Sequence, residues 1–161
     1  MTPTDQYIRT LESLKPGDLG KLRNFACLSL EESAVAFDLF AGLWWPLREK
    51  NQKSPRREVA WLIAKLYAFH PMPQSAGAFL PLLLSRVYPD KDNESQRYQQ
   101  MFDNLLSLPL SQIELPLQWA LSIIVAKNEG LDWVQLTDDL SIWERESTRL
   151  KWAKQYLYRV S

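Results

Sequence analysis

Few side chains in this sequence could carry out catalysis. The chain holds one cysteine, Cys27, and one histidine, His70. A Ser/His/Asp or Cys/His site would need His70 as its base. That residue sits in "YAFHPMP" at a helix end, where a histidine can hydrogen-bond the last carbonyls, so it reads as structural. Cys27 follows Phe25 and Ala26 in a helical stretch and reads as a small buried hydrophobe. One Cys and one His exclude an internal disulfide and a zinc cluster of the usual Cys/His type. Asp138 and Asp139 are adjacent. Helix neighbours point about 100° apart, so the two do not converge on a metal and read as a solvated face with a cap interaction. The five glycines are scattered, and none forms a phosphate-cradling loop. No catalytic residue, metal site or cofactor is expected.

Binding chemistry is better represented. In "RLKWAKQYLYR" (149–159) basic and aromatic residues alternate almost without acid. On a helix, Arg145, Arg149, Trp152 and Tyr156 share one stripe, Leu150, Ala153 and Leu157 form an apolar face beside it, and Lys151 and Lys154 lie towards the opposite side. Guanidinium groups grip phosphate and aromatic rings offer stacking platforms. The simpler reading makes Trp152 and Tyr156 part of the core and the basic residues its rim. A second basic block, "REKNQKSPRREVAWLIAK" (48–65), gathers charge at a helix start, where Lys and Arg oppose the helix dipole; Arg56 and Arg57 lie here. Such placement hints at an anchored phosphate, with a solvated loop the plain alternative. Lys21, Arg23 and Arg97 are weaker, isolated signals.

Positioning these residues falls to helices. "DQYIRTLESL" (5–14) spaces Ile8, Leu11 and Leu14 at helical intervals. "KPGD" (15–18) is a turn, and Asp18 can cap the next helix, which carries Leu19, Leu22 and Phe25. "SLEE" (29–32) has capping-box form ahead of "SAVAFDLFAGLWW". Ser54 caps a helix with Pro55 at its first position, running to His70 with Val59, Leu62, Ile63 and Leu66 on one face. "HPMPQSAG" (70–77) is a proline-rich connector, and 71–77 is the expected boundary between two lobes. Pro81 suits the first turn of a short helix. Tyr98, Met101, Phe102 and Leu105 face one way on the next. "LPLQWALSIIVAKNEG" (115–130) is apolar nearly all round and is expected to lie centrally. Asp132 caps a helix striped by Trp133, Leu136, Leu140 and Trp143. The last helix is expected from about Glu144 to Tyr158. No segment alternates like a strand, so the chain reads as a single all-α domain over 1–161, a helical bundle of two small packed lobes.

Composition sets the outer limits. With 161 residues, 46% hydrophobic and 24% charged, the chain can build a real core. Seven tryptophans bring large buried areas, and each buried indole N–H needs an acceptor. The formal net charge is zero, which argues against a surface that coats nucleic acid but allows a segregated track. Residues 46–70 hold six Lys/Arg against two Asp/Glu, and 141–161 hold five against two. Residues 31–45 hold none against three, and 106–140 one against five. The first 30 residues lack the apolar run of a signal peptide, and "FLPLLLSRV" (79–87) is too short to span a bilayer. Sparse cysteine suits a reducing cytosol, so a cytoplasmic protein with no membrane contact is expected.

Motif order then points to a family. The succession "LKPGDLGKLRNF", "AKLYAFHP" (64–71), "ESQRYQQMFDNLLSL", "ELPLQWALSII" and "GLDWVQLTDDLSIW…WAKQYL" resembles the CasB small subunit of type I-E CRISPR Cascade, an antiviral surveillance complex, over about nine-tenths of the chain. The Leu-Asp-Trp, Asp-Leu-x-x-Trp and Trp-Ala-x-x-Tyr sequence is its most specific part. The resemblance implies a non-enzymatic, all-helical protein present as two copies. Its partners would be crRNA and target DNA, both target and displaced strands, together with the backbone and large subunits. It also implies that basic side chains hold the R-loop: Arg23 after the Gly-Asp turn, Arg56 at the proline-led helix, Arg97, and Arg145, Arg149 and Lys151 before the terminal Trp-Ala. Lys21, Arg57 and Lys154 flank these positions and complete the expected nucleic-acid-binding set. Two departures thin the middle of the track: Gln118, Trp119 and Ala120 stand where many relatives have Arg, and Leu106 and Ser107 where some have Asp-Arg. The rival expectation is a helical protein–protein adaptor, in which acids from 106–140 would neutralise the basic residues of 48–57.

Overall fold

A computed structural model describes residues 2–50, 55–87, 92–126 and 130–157. It is all-α, as expected, and its helices among the described residues are α1 (Pro3–Glu12), α2 (Pro16–Arg23), α3 (Ala34–Lys50), α4 (Arg57–Phe69), α5 (Leu80–Arg86), α6 (Asp92–Ser107), α7 (Glu114–Ile124), α8 (Trp133–Ser141) and α9 (Glu146–Leu157). Short 3-10 turns at Leu30–Glu32 and Leu110–Gln112 precede α3 and α7.

Local signals explain most boundaries. Thr2 and Asp5 form a capping box at α1, and Asp132 Oδ1 accepts from the Gln135 N–H to cap α8. The Ser29–Glu32 box is formed, but it closes the 3-10 turn; Ser33 Oγ accepts from Ala36 N–H at the head of α3. Within "KPGD" the helix already begins at Pro16, with Lys15 at the cap position, so Asp18 lies in the first turn of α2 rather than at its cap. Helix α4 starts two residues later than expected, with Arg56 at the cap position; Ser54 and Tyr158 lie outside the described residues.

The central helix is α4, not α7. Every residue from Val59 to Ala68 is buried, whereas Leu115 on α7 is exposed. An apolar circumference measures what a helix could bury; its neighbours decide what it does bury. Helices α2, α3, α7 and α8 all pack on α4. The buried side chains form one connected cluster from Tyr7 on α1 to Tyr156 on α9.

Five buried tryptophans staple this core, four of them to loop carbonyls and one to a helix side chain. Trp44 donates its indole N–H to the Pro55 carbonyl at 2.7 Å, Trp61 to Leu28 at 2.9 Å, Trp133 to Met72 at 2.8 Å and Trp143 to Leu108 at 2.8 Å. Trp152 donates to Asp139 Oδ2 at 2.8 Å. Each ring thus buries its area without stranding a donor.

The proline-rich connector is knit to the start of α8. Ser75 N–H donates to Leu131 O at 3.0 Å and Leu131 N–H to Pro73 O at 3.1 Å. Asp132 also accepts from Gln74 Nε2 and Gly77 N–H, both at 2.9 Å. Gly77 takes φ 84°, a region where glycine is favoured. At Gly130 a Cβ would meet Ser75 Cβ at 2.8 Å and Pro73 O at 2.9 Å, so only glycine lets the two strands of chain pass this closely.

Candidate nucleic-acid interface

The structure joins the two basic blocks through one ion pair. Arg56, at the start of α4, reaches Glu144 in the α8–α9 connection at 3.3 Å. Arg57 follows on α4, Arg145 follows Glu144, and Arg149 lies one turn along α9. The Glu144 carboxyl is held below its ordinary range, first by a hydrogen bond from its own backbone N–H and then by the bond to Arg56 and the charges of Arg56 and Arg149. Arg56 and Arg149, distant in sequence, therefore both act on this carboxylate, and Arg57 and Arg145 are the chain neighbours of the ion pair. Arg56, Arg57 and Arg145 are exposed. Arg149 is half-buried: its Nε donates to Trp143 O at 3.2 Å, and its guanidinium lies 5.5 Å from the Trp143 ring centroid. The Trp143 carbonyl and ring thus hold the guanidinium group itself in place.

The remaining predicted residues fall elsewhere. Lys21 and Arg23 are exposed on α2, and Arg97 is exposed on α6. Lys154 is exposed on α9, where it and Lys151 border a groove with Phe79, Leu82 and Leu150. Lys151 has a structural commitment: its ammonium is paired with Asp139.

That pair corrects the reading of one of the two adjacent acids. Asp139 is 3% exposed rather than solvated, because Trp152 and Lys151 from α9 and Gln135 from α8 all donate to it. Asp138 is exposed, as the solvated-face reading expected, and accepts from Thr4 Oγ1 at 2.9 Å. Burial is the main cause raising its carboxyl pKa; the Thr4 bond opposes it, and Asp139, Asp5 and Asp132 add to it. Trp152 and Tyr156 are core residues, as the simpler reading expected. The apolar face beside them is not core: Leu150 and Leu157 are exposed.

Cys27 also departs from expectation. It is exposed, in a turn beyond α2, with φ 66° and its N–H donating to Glu114 Oε2 at 2.7 Å. Burial of the thiol and the Glu114 charge raise its pKa. Glu114 also holds Lys65, a buried lysine whose ammonium donates to Glu114 Oε1 at 2.6 Å and to Leu28 O at 2.9 Å. His70 is the C-cap residue of α4, its N–H donating to Leu66 O at 3.2 Å, while its ring contacts Ser122 Oγ of α7 at 3.1 Å rather than the last carbonyls of its own helix.

Sequence reasoning missed one set of residues. Phe37, Trp44, Trp45 and Arg48 of α3 line a cavity of about 350 Å³ together with Arg56 and Arg57. The signal was present in "LWWPLR": adjacent tryptophans on a helix point about 100° apart, so on a helix with one solvent-facing side they divide between core and surface. The adaptor expectation, in which acids of 106–140 neutralise 48–57, is not the pairing seen for Arg56, whose partner Glu144 lies outside that block. No helix among the described residues is long and apolar enough to cross a membrane, and no group of acidic, His and Cys side chains among them could hold a metal ion.

Fold and surface together define a small all-helical protein with a basic edge beside an aromatic cavity. Residues 18–157 match the family model described as CRISPR-associated protein Cse2, and the chain belongs to that family. Its fold is similar to that of CasB from Thermus thermophilus, with a TM-score of 0.75 and 21% identity over 98% of this chain and 99% of that one. CasB from M. ruber gives 0.74 and 21% over 99% and 94%. CasB from Thermobifida fusca gives 0.69 and 14% over 96% and 94%. No curated protein sequence matches the chain.

Proposed function

We propose that this chain is a non-catalytic small subunit of a CRISPR effector complex of the Cascade type. In this reading it contacts the crRNA and target-DNA backbone and steadies the R-loop, including the displaced strand. The observation that carries it is that Arg56 of the first basic block and Arg149 of the second both act on Glu144, which brings the two blocks, with Arg57 and Arg145 beside them in the chain, to one surface. Guanidinium groups presented at one surface fit phosphate gripping, which fixes position on a strand without reading its sequence. Base pairing then reads the sequence, while protein–backbone contacts tip a nearly balanced strand exchange. The partners would be the complex's backbone and large subunits and a second copy of this chain, in the cytoplasm. Zero net charge fits a track rather than a coat, with avidity supplied by the assembly.

The test is retention of target DNA by the whole complex carrying Arg56→Ala, Arg57→Ala, Arg145→Ala and Arg149→Ala. Neutralising about four single-strand phosphates corresponds to a log–log salt slope of roughly −3, which the quadruple variant should remove from that of the intact complex. Unchanged affinity and R-loop lifetime at physiological salt would sink the reading. An adaptor role is the second reading, and the exposed Leu150 and Leu157 on α9 favour it. It predicts loss of assembly, not of salt-sensitive DNA binding, on changing those leucines to Ser.

A further inference from the structure

The cavity between α3 and the start of α4 combines features that the backbone-binding reading does not use. Phe37 and Trp45 lie on α3 two turns apart and are 46% and 54% exposed. Large aromatics left this open lose the burial that normally holds them in a core. The wall behind them is rigid. Trp44 stacks on Phe40 at 5.7 Å and 14°, its N–H is fixed by the Pro55 carbonyl, and Trp45 meets it edge-on at 5.9 Å and 61°. The rim is cationic. Arg48 lies 5.8 Å from the Trp44 ring centroid, and Arg56 and Arg57 border the same cavity against one carboxylate, Glu58.

We propose that this cavity takes one unstacked base of a single strand, with Trp45 as the stacking platform and Arg48, Arg56 and Arg57 disposed towards the flanking phosphates. The inference rests on the backbone-binding reading and deepens it. A volume of about 350 Å³ is at the small end of ligand pockets, the scale of a planar ring system rather than of a helix laid in a groove. Every base has a π-face, so a Trp platform captures single strand without reading sequence. A duplex offers no such base, so the cavity gives the basic edge a preference for single strand over paired strand. It also gives the edge a hold that salt does not screen, because stacking is not an interaction of net charges.

The experiment uses the full chain at low salt, titrated with a fluorescein-labelled oligothymidylate and with an equally long abasic strand of the same phosphate count. The intact strand should bind about tenfold more tightly, the lower part of the range for base–aromatic stacking. Trp45→Ala should abolish that difference and leave abasic binding unchanged, while Trp45→Phe should keep most of it. An equal preference in Trp45→Ala, or none in the unaltered chain, overturns the base pocket. In either case the backbone reading stands if Arg56→Glu with Arg57→Glu weakens both strands alike. Failure of the charge-reversed protein to lose binding overturns that reading as well. Should Trp45→Ala instead remove the chain from its assembly with strand binding intact, the cavity docks a protein and the proposal fails.

Discussion

The indole N–H of Trp152 on α9 donates to Asp139 Oδ2 on α8 at 2.8 Å, and this single buried carboxylate ties the terminal helix to the bundle. Lys151 and Gln135 donate to the other oxygen. Asp139 is 3% exposed, while the Lys151 side chain is 40% exposed and can turn its ammonium to water. Removing the carboxylate therefore strands the Trp152 donor more than it strands the lysine. Asp139→Ala is expected to cost about 2–3 kcal/mol, and Asp139→Asn, which keeps an acceptor for Trp152, about 1 kcal/mol. Urea midpoints of the two variants check this. An Asn variant as damaged as the Ala variant would place the weight on the Lys151 charge instead.

Lys65 and Glu114 should behave differently, because both are largely sheltered, with side-chain exposures of 5% and 14%. Glu114→Leu leaves the ammonium buried with only the Leu28 carbonyl and frees the Cys27 N–H. The expected cost is about 3–5 kcal/mol. Replacing both partners, Lys65→Met with Glu114→Leu, should recover much of that loss, since an apolar pair carries no desolvation penalty. Denaturant titration of both single variants and the double variant gives the coupling directly. Additive losses would mean that the two side chains do not act as a pair.

What was legible in the sequence is what local physics decides. The Asp132 cap, the Trp133–Leu136–Leu140 stripe and the core placement of Trp152 and Tyr156 follow from spacing and cap chemistry and are found, whereas Trp143, expected on the same stripe, is buried from the turn beyond α8. The basic blocks were visible as composition, but their meeting at Arg56 and Glu144 spans 88 positions and no local pattern encodes it. Burial of Asp139 depends on α9 arriving 13 residues later with Trp152. Cys27 was misplaced because apolar neighbours were taken to continue a helix that stops at Arg23. The exposed side of Trp45 was missed because hydrophobicity alone assigns both tryptophans of a pair to the core.

Acid should weaken the fold through His70 and strengthen it through Asp138. Burial lowers the His70 pKa below its ordinary 6.5. Between that lowered value and 6.5 the unfolded chain binds more protons, so this contribution is complete above 6.5 and is lost as pH falls through the folded pKa. Asp138 has the opposite sign: its raised pKa lets the native state hold a proton longer, so stability falls as pH rises from about 3.8 through the folded value. His70→Gln should flatten the stability profile just below pH 6.5 and leave the more acidic limb unchanged. Denaturation midpoints at closely spaced pH values test it, and an unaltered slope in the Gln variant would remove His70 from the account.

Glu144 offers the sharpest functional test, because its removal should improve binding. The carboxylate and Arg56 are 63% and 47% exposed, and such surface pairs contribute little to stability. Glu144→Gln should therefore leave the unfolding midpoint close to that of the unaltered chain. At the proposed interface, however, Glu144 faces Arg56 and lies in the field of Arg149, so it competes with an incoming phosphate for both. Without it, one more phosphate can be neutralised. The salt slope for single strand should steepen by about 0.7, and affinity should rise most at low ionic strength, where the field is least screened. Arg56→Ala should shift both quantities the other way. The double variant should resemble Arg56→Ala, because the acid's effect acts mainly through that guanidinium. Binding weakened by Glu144→Gln would mean that the carboxylate orients Arg56 rather than opposing its ligand, and the edge would then need its glutamate to work.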